Sequence, residues 1–137
     1  HLSSGLRDTL EGLSAWHSDG SFAQSKIFDN SEMAEAVSKP SLHPVIAKHP
    51  QTGRKIIFVN GDFTTHFDGW TEAESAPRLA YLYQYISQPA VMCRFRWSPG
   101  AVAIWDNRLV QHLAVADYHG QARLMHRITV KGQTFTK

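Results

Sequence analysis

The chain has a single cysteine, Cys93, among 137 residues. A disulfide within the chain is therefore excluded, and a reducing, cytoplasmic setting is expected. No apolar run approaches the ~18–20 residues that a membrane-spanning helix needs. No basic segment followed by an apolar one opens the sequence, so no secretory signal is expected. Positive charge is not concentrated either. Fourteen Lys and Arg face twelve Asp and Glu, for a formal net charge of +2, and the basic residues form no block suited to nucleic acid. Gly53, Gly61 and Gly69 are isolated and make no phosphate-binding loop. Methionine is absent from position 1, where His1 stands; this points to a processed product, a tag remnant or a fragment.

What is present suits a single globular domain over residues 1–137, with 42% hydrophobic and 19% charged residues. Leu2, Leu6, Leu10, Leu13 and Trp16 recur at helical spacing, which predicts an amphipathic helix over 4–17 capped by Ser3 or Ser4. A short helix is expected around Ser31 to Ser38. Val45 to Lys48 and Lys55 to Asn60 flank a loop rich in turn formers and read as a hairpin. Thr71-Glu72-Ala73-Glu74 is a capping box ahead of Leu79, Leu82, Tyr83 and Ile86. The helix it opens starts there or at Ser75, which would leave Pro77 in the first turn. Alternation predicts strands over Val91 to Trp97 and Arg123 to Val130, and the short apolar run Ala101 to Trp105 reads as a buried strand, so most strands are expected in the second half. The fold class expected is α+β, mainly β.

Two features could carry chemistry. His112 ends the run Trp105-Asp106-Asn107-Arg108-Leu109-Val110-Gln111-His112, and a lone histidine near a strand end is either a metal ligand or structural. Arg123 and Arg127 would share one face of the last strand, roughly 13 Å apart. If that face points inward, the guanidiniums need an anion, because burying an unpaired charge is costly. A dicarboxylate held through bidentate hydrogen bonds would meet the need. So would Asp106 or Asp117 of the chain itself. Elsewhere, His17, Ser18 and Asp19 are adjacent and cannot build a nucleophile–base–orienter triad among themselves. Cys93 and His126 alternate with apolar residues and read as packed side chains. His43, His49 and His66 read as solvated or structural.

The segments Arg94-Phe95-Arg96-Trp97-Ser98-Pro99-Gly100, Val102-Ala103-Ile104-Trp105-Asp106-Asn107-Arg108, Gln111-His112, Ala116-Asp117-Tyr118 and Met125-His126-Arg127 closely resemble the C-terminal signature of the taurine dioxygenase family. The likeness extends back through Phe63-Thr64, Val59-Asn60, Thr52-Gly53-Arg54, His49-Pro50 and His43-Pro44-Val45 to Leu10-Glu11-Gly12-Leu13. It implies the C-terminal part of a double-stranded β-helix (jelly roll) with flanking helices. It also implies Fe(II) as cofactor and 2-oxoglutarate as cosubstrate, with molecular oxygen and a small anionic organic substrate as partners. By this resemblance His112 is the distal iron ligand, Arg127 meets the far carboxylate of 2-oxoglutarate, and Arg123 is its second basic contact. Phe63 lines the substrate pocket. Trp105 stands near the metal, and Asp106 and Asn107 are hydrogen-bonders.

A facial iron site takes two histidines and a carboxylate, which the family supplies through an additional His-x-Asp pair. Trp16-His17-Ser18-Asp19 matches that pattern. It follows Leu10-Glu11-Gly12-Leu13, however, which resembles a helix lying well after the family's metal-binding pair, so the resemblance places the true pair upstream of His1. The implied reaction is hydroxylation beside a sulfonate or sulfate ester such as taurine, after which the product falls apart to sulfite or sulfate and an aldehyde. The alternative is a non-catalytic fragment or degenerate module with an anion-binding or assembly role. A partial jelly roll exposes strand edges and an apolar sheet face, so self-association of the chain is expected.

Overall fold

A computed structural model describes residues 2–19, 39–115 and 117–130; the short helix expected around Ser31 to Ser38 lies outside them. Helix α1 (Ser4–Glu11) begins at Ser3, whose side chain accepts the Leu6 N–H, and ends at Gly12. It is shorter than the leucine spacing predicts. Glycine is a poor helix former, and the Leu13 N–H closes a turn onto the Leu10 carbonyl. The residues that follow form strand β1 (Ser14–His17), so Trp16 belongs to a strand. Tertiary pairing decides the matter, because β1 is the middle strand of a sheet and Ala15 is completely buried there.

Strands β2 (Ser41–Pro44) and β5 (Thr64–Phe67) flank β1, both antiparallel to it. Ala15 lies opposite His43 on one side and Phe67 on the other, while His17 lies opposite Thr64. Paired residues share a face. One face therefore carries Ala15, His17, His43, Thr64 and Phe67, and the other carries Trp16, Leu42 and His66. The expected hairpin forms as β3 (Ile46–Lys48) and β4 (Lys55–Ile57), with Ile46 opposite Ile57 and Lys48 opposite Lys55. Its loop uses Gly53 at φ +66°, a conformation that glycine adopts without steric cost. Val45 joins the two sheets: its N–H reaches the Leu13 carbonyl and its carbonyl accepts the Phe58 N–H.

Helix α2 (Glu72–Ile86) opens on the capping box, with the Thr71 side chain and Glu74 bonding each other's backbone N–H. It therefore starts ahead of Ser75 and retains Pro77 inside. Proline lacks the N–H that would meet the Ala73 carbonyl, and burial of Ser75, Leu79 and Leu82 offsets that loss. The Ser75 hydroxyl donates to the Thr71 carbonyl and accepts the Phe67 N–H, at 2.8 and 3.1 Å. One fully buried side chain thus ties the helix to β5. The core comprises Leu10, Ala15, Val45, Val59, Phe67, Leu79 and Leu82.

The second half departs from the sequence reading. A single 3-10 turn (Pro89–Val91) follows α2, and among the described residues 92–130 form no strand. The strands expected over Val91 to Trp97, Ala101 to Trp105 and Arg123 to Val130 are absent, and the strands among the described residues lie in the first half instead. Alternation encodes which face a strand would bury, but a strand also needs a neighbour for its N–H and carbonyl groups. No such neighbour is present for these segments among the described residues. Cys93 and His126, read as packed, are both exposed. No helix among the described residues is long and apolar enough to cross a membrane.

Candidate active site

His112 is exposed, with its ring 5.1 Å from that of Trp105. Arg123 and Arg127 are also exposed; the Arg123 guanidinium lies over the Tyr118 ring, 5.4 Å from its centre. No hydrogen bond, ion pair or ring contact joins these three residues to one another among the described ones. Asp106, weighed as an internal partner for the arginines, pairs with Arg108 instead, at 2.6 Å. Phe63 is half-buried, and its carbonyl accepts the Ser18 N–H at 2.8 Å just beyond β1.

The segment carrying His112 is fastened to the folded half at two points. Asp106 accepts a hydrogen bond from the buried His49 ring, Nε2 to Oδ2, at 3.0 Å. The Gln111 amide donates to the Val59 carbonyl. Asn107 takes the Trp105 indole N–H at 2.8 Å. Asp106 and Asn107 are thus the hydrogen-bonders that the resemblance implied. Arg108 first and His49 second hold the Asp106 carboxyl well below the usual carboxylate range. His49 as a buried anchor was not legible in advance, because its partner is distant in sequence.

A second feature that sequence reasoning missed is a histidine pair on the inner sheet face. The His17 and His43 rings meet edge to face at 5.2 Å, and Phe58 packs against both. Thr64 Oγ1 accepts the Asn60 N–H and lies 3.4 Å from His17 Nδ1. The other ring nitrogen, Nε2, is buried with no hydrogen-bond partner among the described residues. Burial, and secondarily the nearby His43, push the His17 pKa down from 6.5 to about 4; burial lowers that of His43 too.

The unfolded chain takes up a proton at His17 near pH 6.5, whereas the folded chain resists until about pH 4. Folding stability from this residue is complete above the higher value, falls between the two as pH drops, and is constant below. The loss should be roughly 1–2 kcal/mol, less than the full shift implies because the ring is partly solvated. Urea midpoints of the chain and of His17→Gln at pH 7.5 and 4.5 measure it. The variant should lose less stability on acidification, and equal losses would refute the assignment.

Iron of the oxygenase type takes three protein donors, whereas no group of three or more His, Cys, Asp or Glu side chains converges among the described residues. The donor set present does not fit that ion. A recess of about 390 Å³ lies between α1, β5 and α2, lined by Leu6, Leu10, Phe67, Trp70, Arg78 and Tyr81 among others. It includes none of His112, Arg123, Arg127 or Phe63.

Residues 1–129 match the sequence profile of the family described as "Taurine catabolism dioxygenase TauD, TfdA family". The chain belongs to the TauD/TfdA family. It is 38% identical over 133 residues to the alpha-ketoglutarate-dependent dioxygenase cnsM of Penicillium expansum, covering 93% of this chain and 37% of that protein. It is also 38% identical over 94 residues to an alkylsulfatase of Acinetobacter baylyi, covering 69% of this chain and 29% of that protein. A taurine dioxygenase from Burkholderia xenovorans superposes with a TM-score of 0.63 at 30% identity, over 79% of this chain and 33% of that structure. The chain thus superposes on part of the fold of TauD-type dioxygenases, and it spans about a third of the length of these relatives.

Proposed function

We propose that the chain is the C-terminal, carboxylate-anchoring part of an Fe(II)- and 2-oxoglutarate-dependent dioxygenase that hydroxylates a small organic sulfonate or sulfate ester. The observation that carries this is the family match across residues 1–129. Relatives named as a sulfonate dioxygenase, from Saccharomyces cerevisiae, and a sulfate ester dioxygenase, from Pseudomonas putida, support the substrate class. In this reading Arg127 takes the far carboxylate of 2-oxoglutarate with Arg123 as its second contact. Phe63 lines the substrate pocket, and His112 is one metal donor. In this reading the other two donors come from outside the described residues.

The test is 2-oxoglutarate binding by a protein extended to the full length of its relatives. Removing a guanidinium that pairs with a desolvated carboxylate costs several kcal/mol, so Arg127→Ala should weaken binding about 10²-fold or more. Calorimetry under anaerobic conditions with Fe(II) reads this directly. His112→Ala should abolish the visible charge-transfer band of the ternary complex. A band that survives His112→Ala and vanishes with His17→Ala or Asp19→Ala would overturn the ligand assignment. The second reading, an anion-binding module without catalysis, draws on the exposure of both arginines. It predicts 2-oxoglutarate binding that is indifferent to Fe(II).

A further inference from the structure

The two fastenings of the 105–112 segment have a design that goes beyond holding a loop. His49 is 5% exposed and sits where β3 runs into its turn, with its N–H on the Arg54 carbonyl and its carbonyl accepting the Gly53 N–H. Its ring cannot choose its proton freely. The Thr52 N–H points at Nδ1 from 3.2 Å, and the Thr52 hydroxyl lies 3.0 Å from the same atom. A nitrogen that accepts a backbone N–H carries a lone pair, so the ring proton resides on Nε2 and is donated to Asp106. The donor is therefore rigid in position and fixed in tautomer before the segment docks.

On the other side, the Asp106 carboxylate organises its own turn. Oδ1 accepts the Arg108 backbone N–H and Nε, both at 2.9 Å, and Oδ2 accepts Arg108 Nη2 as well as His49. The Asp106 carbonyl accepts the Leu109 and Val110 N–H groups at 3.0 and 3.1 Å. Asp106 directly follows Trp105, and Gln111, the second fastening, directly precedes His112. The two anchors thus lie just inside the Trp105–His112 ring pair, each next in sequence to one of its members.

We propose that His49 is a positioning residue for His112, setting the place of its imidazole through Asp106 and the turn that Asp106 builds. The importance of that position for catalysis rests on the proposed function, whereas the positioning itself does not. His49 touches no reacting group in this arrangement. Its role is to present one N–H at a fixed point on the folded half, so that the otherwise unpaired segment docks in one register.

Two substitutions separate the two ring nitrogens. His49→Asn keeps an acceptor near Thr52 and removes the reach to Asp106; His49→Gln keeps an N–H near the Nε2 position. The readouts on the full chain are amide exchange at Leu109 and Val110 and the NMR shifts of the His112 ring protons, which the Trp105 ring displaces. His49→Asn should speed that exchange roughly tenfold or more, as expected for loss of a charge-assisted hydrogen bond, and should move the His112 resonances. His49→Gln should restore both toward the parent chain. Asp106→Asn, outside the core, should match His49→Asn and covers the case in which His49→Asn fails to fold, as judged by the Val45 and Leu82 methyl signals. Unchanged exchange and shifts in Asp106→Asn, or equal effects of Asn and Gln at His49, would overturn the proposal. Neither readout uses metal or activity, so failure of the metal role of His112 would appear only in the charge-transfer experiment.

Discussion

Phe67→Ala should destabilise the folded chain by about 3–5 kcal/mol, the range for removing a fully buried aromatic ring. Phe67 has no exposed surface and stands at the junction of three elements. It lies opposite Ala15 across the β1–β5 pairing, its N–H is held by Ser75 of α2, and its ring meets Trp70 at 5.5 Å. Truncation would open a cavity beneath the recess that α1 and α2 already share. Native domains are marginally stable, at about 5–15 kcal/mol, so this single change should unfold a large fraction of molecules at 37 °C. Urea denaturation followed by circular dichroism measures the effect. Phe95→Ala is the control: that ring is 53% exposed, and its loss should stay within about 0.5 kcal/mol. Similar effects for the two would mean that the core has been drawn in the wrong place.

That contrast shows what was legible in the residues. The hairpin and the capping box are local devices. Gly53 supplies the turn and Thr71 with Glu74 supplies the helix start, and each needs only its near neighbours. Both were readable. The end of α1 was not, because Leu13 and Trp16 continue the leucine spacing while Gly12 and the pairing of β1 on both edges override it. Pro77 left the start of α2 open between the capping box and Ser75, since the value of burying Leu79 and Leu82 is a tertiary quantity. At the candidate site, the family resemblance implied hydrogen bonding by Asp106 and Asn107, and both make such bonds in the structure. The identity of the partner, His49, could not be read, because a contact across fifty-seven residues leaves no periodic trace. The His17–His43 pair was hidden for the same reason. It exists only through the β1–β2 register.

The second large effect expected is self-association, and its cause is the segment after α2. Val102, Ile104, Leu113, Leu124, Ile128 and Val130 are each at least 80% exposed. Monomeric proteins seldom show contiguous apolar patches beyond a few hundred Å², and an extended backbone without ladder partners invites pairing with another chain. The alternation that predicted strands over Arg123 to Val130 is the pattern of a half-buried strand, so this segment carries the code for a sheet face without the sheet. The chain should form dimers or larger species at micromolar concentration, seen as a rising weight-average mass in sedimentation with increasing protein. Ile104→Lys with Ile128→Lys should suppress the association by about tenfold or more, the size expected for losing two buried aliphatic contacts. The same pair should leave the urea midpoint nearly unchanged, because neither side chain enters the core. Extension to the full length of the relatives should reverse the picture. The added residues would pair these segments, protect their amides from exchange and make both substitutions strongly destabilising. A monomer with sharp, unchanging sedimentation at all concentrations would show that residues 92–130 are satisfied within the chain, and the proposed dependence on the rest of a jelly roll would fall with it.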